Sequence, residues 1–260
     1  SSEFENFSET SYRGFYEKLR TNSASLFKSS LLEQTCDINC GFSLHYETTT
    51  KTFLRNLKIP QLLLIGEIMQ TIKDLKQYTF PALLNNTLSK FSSRPALSFV
   101  NGTPLTYEQI ESKVKEVSAL LHSLGIKKGD KVSIFSTSMP NWGASYFGIV
   151  NMGAIAVPLL PDFSAVEVTS ILTHAQVSVM FVAEKLWNKV KDLSEDILPI
   201  VIKLDDLTFL RGEPEGFRIS EFVNDVEVLE EDTASIIYTS GTTGRSKGVE
   251  LTHKNLVWTA

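Results

Sequence analysis

Short apolar runs alternate with longer stretches in which apolar residues recur every three or four positions, and this rhythm holds from about residue 71 to the end. The runs predict buried strands and the longer stretches predict amphipathic helices. Phe80–Lys90 reads as a helix with Leu83, Leu84 and Leu88 inward. Ala96–Val100 reads as a strand, Asn101-Gly102 as a type I′ hairpin turn, and Pro104–Thr106 as the returning strand. Thr106 and Gln109 form a capping box, and Tyr107, Ile110, Val114, Val117, Leu121 and Leu124 make the core stripe of the helix that follows. Gly125 should end it. Strand Val132–Phe135, a helix opened by Met139-Pro140-Asn141-Trp142 and running to about Met152, and strand Ala154–Leu159 come next. Gly148 and Gly153 are expected to permit close packing. Ser164 and Glu167 make a second capping box ahead of helix Val166–His174. Then come strand Val177–Val182, helix Glu184–Leu193, strand Ile200–Leu204, loop Leu210–Phe217, a short helix Ile219–Val223 and an exposed acidic stretch Val226–Asp232. Strands alternating with helices predict an α/β fold with mixed, mostly parallel sheets and flanking helices.

The most informative stretch is Tyr238–Leu256, YTSGTTGRSKGVELTHKNL. An apolar run, Ala234–Tyr238, leads in, and a β-prone run, Val249–Leu251, leads out. Between them lie Gly241 and Gly244, the hydroxyls of Thr239, Ser240, Thr242, Thr243 and Ser246, and Lys247; Gly248 follows. This composition suits a loop wrapped around a polyphosphate. Glycines let successive N–H groups approach anionic oxygens, hydroxyls add neutral donors, and lysine adds a compact charge. The spacing is not that of a Walker loop, because Lys247 is followed by Gly248 rather than Ser or Thr. A helix from His253 to Ala260 closes the chain.

The string Tyr238–Val249 resembles the signature loop of the AMP-forming adenylating superfamily, which includes acyl-CoA synthetases, luciferases and the adenylation domains of peptide synthetases. That pattern reads roughly [YF]-T-S-G-[ST]-T-G-x-P-K-G-V, and Ser246 is the one departure, standing where proline is usual. Serine leaves the loop tip less stiff, since proline fixes φ. The entry Met139-Pro140-Asn141-Trp142 is similar to the family's N-x-P-E-W, and SGTTGRSKGVELTHKN looks most like the long-chain fatty-acid–CoA ligase branch. The resemblance covers Thr71 to Ala260.

The resemblance implies ATP-dependent activation of a fatty acid to acyl-AMP and its transfer to coenzyme A, with ATP, Mg²⁺ and coenzyme A as cofactors and a place in lipid metabolism. Thr239, Ser240, Gly241, Thr242, Thr243, Gly244 and Lys247 would bind the phosphates, and His253 would lie near the substrate. It assigns no catalytic residue and no metal ligand in this chain. The adenine-binding strand with its Thr-Glu pair, the ribose-binding aspartate and the small C-terminal domain with its catalytic lysine are expected beyond Ala260. The chain, which begins at Ser1 and ends within a helical pattern, therefore reads as an incomplete piece, inactive alone and exposing apolar surface. Two alternatives stay open: an acyl-AMP ligase or acyl-acyl-carrier-protein synthetase, and a non-catalytic truncated product.

Residues 1–70 carry no such likeness and read as a separate extension, with 71–260 as the adenylating part. Leu54–Glu67 looks a little like the late strand that carries the triad aspartate of α/β-hydrolases, but that aspartate is missing and no G-x-S-x-G elbow occurs. Charge and composition mostly exclude. A net charge of −5 implies no nucleic-acid partner. The longest apolar run, Ile59–Ile65, is too short to span a bilayer, which leaves peripheral membrane contact as the one membrane role compatible with a lipid-handling enzyme. Cys36 and Cys40 read as free thiols in a reducing cytoplasm. His45, His122 and His174 have no partner at catalytic or metal-ligand spacing and are assigned no role.

Overall fold

Why the sheet is parallel at its centre follows from its connections: each central strand hands the chain to a helix or helical turn that carries it back across the sheet. The structure, a computed structural model, describes residues 75–220, 222–223, 225–239 and 247–259. Strands β3 (Lys131–Phe135), β4 (Ile155–Leu159), β5 (Val177–Val182), β6 (Ile200–Lys203), β7 (Phe209–Arg211), β8 (Thr233–Thr239) and β9 (Lys247–Thr252) form one sheet in the order β7-β6-β5-β3-β4-β8-β9. The five inner strands run parallel, while the edge strands β7 and β9 are antiparallel to β6 and β8. The predicted fold class is the observed one.

The inner strands are apolar on both faces because helices cover both. On one face, α2 (Tyr107–Ser123) and α3 (Pro140–Asn151) pack Val117, Leu120, Leu121, Ile149 and Val150 onto Val132, Ile134, Ala156, Val179 and Phe181. On the other, α4 (Ala165–Ala175) packs Val168, Ile171, Leu172 and Ala175 onto Phe135, Val157, Val177, Met180 and Val182. The sides alternate from Val179 to Val182 along β5, as a period of two requires, and a register shift at the start of the strand puts Val177 on the face opposite Val179. A smaller cluster joins Leu84 of α1 (Phe80–Phe91) to Ile110 and Val114, beside the hairpin of β1 (Pro95–Leu97) and β2 (Leu105–Thr106).

Both capping boxes form: Thr106 Oγ1 accepts from Gln109 N–H, and Ser164 Oγ from Glu167 N–H. Gly125 adopts φ 81° just past α2. Gly148 gives α3 its close approach to α2, since a Cβ there would lie 2.6 Å from Val117 Cγ1.

Four local expectations are corrected. The first strand stops at Leu97, and the turn after it is not type I′. Gly102 N–H bonds to the Phe99 carbonyl at 3.0 Å with Asn101 at φ 60°, whereas a type I′ turn needs two adjacent positive φ angles. Glu184–Leu193 is not an α-helix. Only a 3-10 turn, Glu184–Lys189, forms, drawn toward the β4–α4 connection by Lys189 Nζ, which donates to the Pro161 and Phe163 carbonyls. The stretch read as loop from Leu210 begins as strand β7, because Gly212, at φ 74°, lets the chain run flush against Pro199; a Cβ would come within 2.1 Å of the Pro199 oxygen. Ile219, Ser220, Phe222 and Val223 are not helical; Ser220 N–H donates to Ser123 Oγ instead.

The acidic stretch before β8 is likewise less free than expected. Val228 is buried, Asp232 pairs with Lys128 at 2.6 Å, and Glu230 accepts from the Tyr78 N–H at 2.9 Å.

Candidate functional site

All five parallel strands end on the same edge of the sheet, the edge where open α/β sheets bind ligands. The chain leaves β8 there and returns as β9. Thr239 pairs with Lys247, Tyr238 with Gly248 and Ile237 with Val249. The sequence reading of strand, loop and strand is therefore a β-hairpin whose two ends are held in register. Of the predicted phosphate ligands, Thr239 and Lys247 face each other across the neck, Thr239 half-buried and Lys247 exposed. Ser240, Gly241, Thr242, Thr243 and Gly244 lie outside the described residues.

The neck is anchored by Tyr238, whose side chain belongs to the α4-side core and is 4% exposed. Its ring lies over Gly248, where a Cβ would sit 3.1 Å from Tyr238 Cζ and 3.0 Å from Ile236 Cγ2. A residue with a side chain would need the ring to give way by a few tenths of an ångström. The Tyr238 hydroxyl is 2.6 Å from His174 Nδ1, at the end of α4, and the two rings meet edge to face with centroids 5.8 Å apart. Burial, with a smaller push from Glu250, raises the Tyr238 hydroxyl to about 12, so it remains a neutral phenol at physiological pH.

His253 opens α5 (His253–Trp258) and is fully buried. Its Nδ1 accepts from the Phe80 N–H at 3.2 Å, its ring meets the Phe80 ring at 5.5 Å, and its own N–H donates to the Asp232 carbonyl. An accepting Nδ1 leaves the proton on Nε2, which is buried and finds no hydrogen-bond partner among the described residues. Burial lowers its pKa to about 4, against a smaller opposing pull from Asp232, so the ring is neutral. Lys254 next to it pairs with Glu230 and Glu231. The start of α5 is thus tied to α1 and to the chain entering β8.

Sequence reasoning missed the His174–Tyr238 contact, because it assigned His174 no role. The available signal was Tyr238 itself: a tyrosine ending an apolar strand buries its ring and needs a partner for its hydroxyl.

A mostly parallel α/β sheet with Thr239 and Lys247 paired at its carboxyl edge, where such sheets bind ligands, is a candidate ligand-binding architecture. Residues 84–260 match the family model described as AMP-binding enzyme, and the chain belongs to that family. It is 34% identical over 179 residues to 4-coumarate:CoA ligase 1 of Petunia hybrida, a match covering 65% of this chain and 32% of the relative. The chain thus spans about a third of the length of the curated relatives it matches. Among solved structures it is similar to an anthranilate CoA ligase in complex with anthranoyl-AMP (TM-score 0.60, 23% identity, 70% of this chain and 35% of that one). It is also similar to a fatty acyl-adenylate ligase from L. pneumophila in complex with acyl adenylate and pyrophosphate (TM-score 0.57, 21% identity, 71% and 32%). These likenesses carry the fold.

Proposed function

We propose that the protein containing this chain is an AMP-forming acid–thiol ligase, with residues 71–260 as the first part of its adenylating domain and residues 1–70 as a separate extension. A carboxylate oxygen of the substrate attacks the α-phosphorus of ATP, the bond to the β-phosphate oxygen breaks, and pyrophosphate leaves. The sulfur of coenzyme A then attacks the acyl carbon, the bond to AMP breaks, and the thiol proton passes to solvent. The first step needs no protein nucleophile; it needs two anions held together and their charge offset. Lys247 and the hydroxyls and amides of residues 239–244 are assigned that task on the β- and γ-phosphates. The observation that carries the reading is the β8–β9 register, which sets Thr239 opposite Lys247 at the sheet's carboxyl edge in a chain of the AMP-binding family.

The loop's donors suit phosphate oxygens rather than a cation. Among the described residues, no group of three or more His, Cys, Asp or Glu is placed to hold a metal. Mg²⁺ is assigned to the triphosphate, where it would offset charge. Among the described residues no helix is long and apolar enough to cross a membrane.

For the acid, the likeness of Ser240–Asn255 to the long-chain branch favours a fatty acid. The similarity to a 4-coumarate:CoA ligase favours a second reading, an aromatic propenoic acid. Acid-dependent ATP–pyrophosphate exchange on the full-length protein separates them, using palmitate, a medium-chain acid, 4-coumarate and benzoate. Exchange with palmitate, reduced at least tenfold by Lys247→Ala, is the expected result; this is roughly the effect of losing one charge-assisted phosphate contact. Exchange with 4-coumarate alone would replace the fatty-acid reading. Acyl-AMP formed but passed to a carrier-protein thiol and not to coenzyme A would identify an acyl-carrier-protein synthetase. A folded protein that exchanges with no acid would be non-catalytic.

A further inference from the structure

We infer that His174 is a positioning residue for the phosphate loop: through its hydrogen bond to Tyr238 it fixes the Thr239 end of the hairpin neck against α4. The inference rests on the adenylating reading above and adds a residue to it. Tyr238 has two jobs that pull in different directions. Its ring is core, packed with Ile171, Leu172 and Ala175 in one apolar cluster. Its backbone is the last but one residue of β8, one peptide from Thr239. The ring is held in place from three sides. Gly248 gives it room across the strand pair, with 3.1 Å from its would-be Cβ to Tyr238 Cζ; the α4 side chains close over it; and His174 takes its hydroxyl at 2.6 Å.

The ring's burial alone would fix how deep Tyr238 sits. It would not fix rotation of the strand end about its own axis, because apolar contact is non-directional. A short hydrogen bond to an imidazole, itself set edge-on to the phenol at 88°, supplies the missing direction. Since consecutive Cα atoms are about 3.8 Å apart, a shift of the Tyr238 backbone acts directly on its neighbour Thr239, the first assigned phosphate ligand. His174 touches neither nucleotide nor acid in this account; it acts through Tyr238.

The experiment uses the full-length protein with Tyr238→Phe, His174→Ala, His174→Asn and the double variant Tyr238→Phe/His174→Ala. Two quantities are read: the KM for ATP in pyrophosphate exchange, and amide hydrogen exchange of the peptide covering Tyr238–Lys247. Tyr238→Phe and His174→Ala should each raise KM for ATP on the order of tenfold, with kcat changed by less than about twofold. The double variant should be no worse than either single one, because both remove the same bond. His174→Asn, whose amide can donate or accept near the position of Nδ1, should recover most of the loss, and the loop peptide should exchange faster in the same variants that raise KM. Wild-type KM and wild-type loop exchange in Tyr238→Phe and His174→Ala, even with a lower Tm, would overturn the inference and leave the pair a core contact only. If the wild-type protein exchanges with no acid, the adenylating reading falls, and the loop peptide's hydrogen exchange still decides whether His174 anchors the neck.

Discussion

Gly148 lies inside α3, and Gly248, read from the sequence as part of the loop, lies inside β9; in neither place does glycine have a conformational advantage. The structure gives each a neighbour. At Gly148 a methyl group would meet Val117 Cγ1 at 2.6 Å, Val117 Cβ at 2.7 Å and the Val114 carbonyl oxygen at 3.2 Å. Val117 is short, β-branched and 1% exposed, so it has no flexible end with which to yield. Gly148→Ala should therefore force α3 away from α2 and lower stability by about 1–3 kcal/mol, despite the better helix propensity of alanine. Urea unfolding of wild type and variant checks this, and an unchanged or higher midpoint would show that the helices separate freely. At Gly248 the neighbour is Tyr238, and the glycine serves the hairpin neck. The requirement at Gly148 was legible as close packing without its partner. The loop's Thr, Ser, Gly and Lys residues, whose assignment to phosphate is the proposal made above, were legible in order, because a loop signature is local. The His174–Tyr238 contact was not, since the two residues lie 64 positions apart and only the folded sheet brings α4 over β8.

At the scale of elements, most of the chain could be read because most of its elements carry their own signals. The two capping boxes, the core stripe of α2 and the apolar runs of β3, β4 and β5 are local patterns, and each forms where its pattern lies. Misreadings fell where tertiary partners decide: the 3-10 turn drawn in by Lys189, the edge strand β7 admitted by Gly212, and the acidic approach to β8 held by Lys128 and the Tyr78 N–H. A local signal also makes a local prediction. Ser164 caps α4 by accepting from Glu167 N–H, while the Glu167 carboxylate accepts from both the Ser164 N–H and hydroxyl. Those bonds hold Glu167 below its usual carboxylate range. Ser164→Ala removes the cap and should cost about 1 kcal/mol, a few degrees in Tm for a domain of this size. Because α4 carries His174, the same variant should also loosen the hairpin neck. Thermal melts with hydrogen exchange of the α4 peptide test it; α4 exchange equal to wild type would mean packing on the sheet holds the helix start without the cap.

For the whole molecule, the group that should govern acid stability is His253. It is buried between α1, α5 and the start of β8, so no local opening short of separating those elements can protonate it cheaply. Its pKa is about 4 in the folded chain, lowered chiefly by burial, against about 6.5 in an unfolded one. The unfolded state thus binds a proton that the native state refuses. Stability is full above about pH 6.5 and falls as pH drops through the window down to about 4, where both states are protonated and the loss levels off. Between pH 7 and pH 5 the expected loss from this residue is about 2 kcal/mol. The carboxylates held low by hydrogen bonds, among them Asp206 at about 2, Glu230 and Asp232, lose their contribution only at lower pH. His253→Asn keeps an acceptor for the Phe80 N–H but no titrating ring. It should be less stable than wild type at pH 7 and should lose much less between pH 7 and pH 5. Urea unfolding of both proteins at the two pH values gives the comparison directly, with each serving as the other's control for the remaining titrating groups. Parallel losses would move the acid sensitivity to another residue. A flat variant beside a sloping wild type would establish that the junction of α1, α5 and β8 stays shut in the native protein, with the β8–β9 pair built on a base that water does not reach.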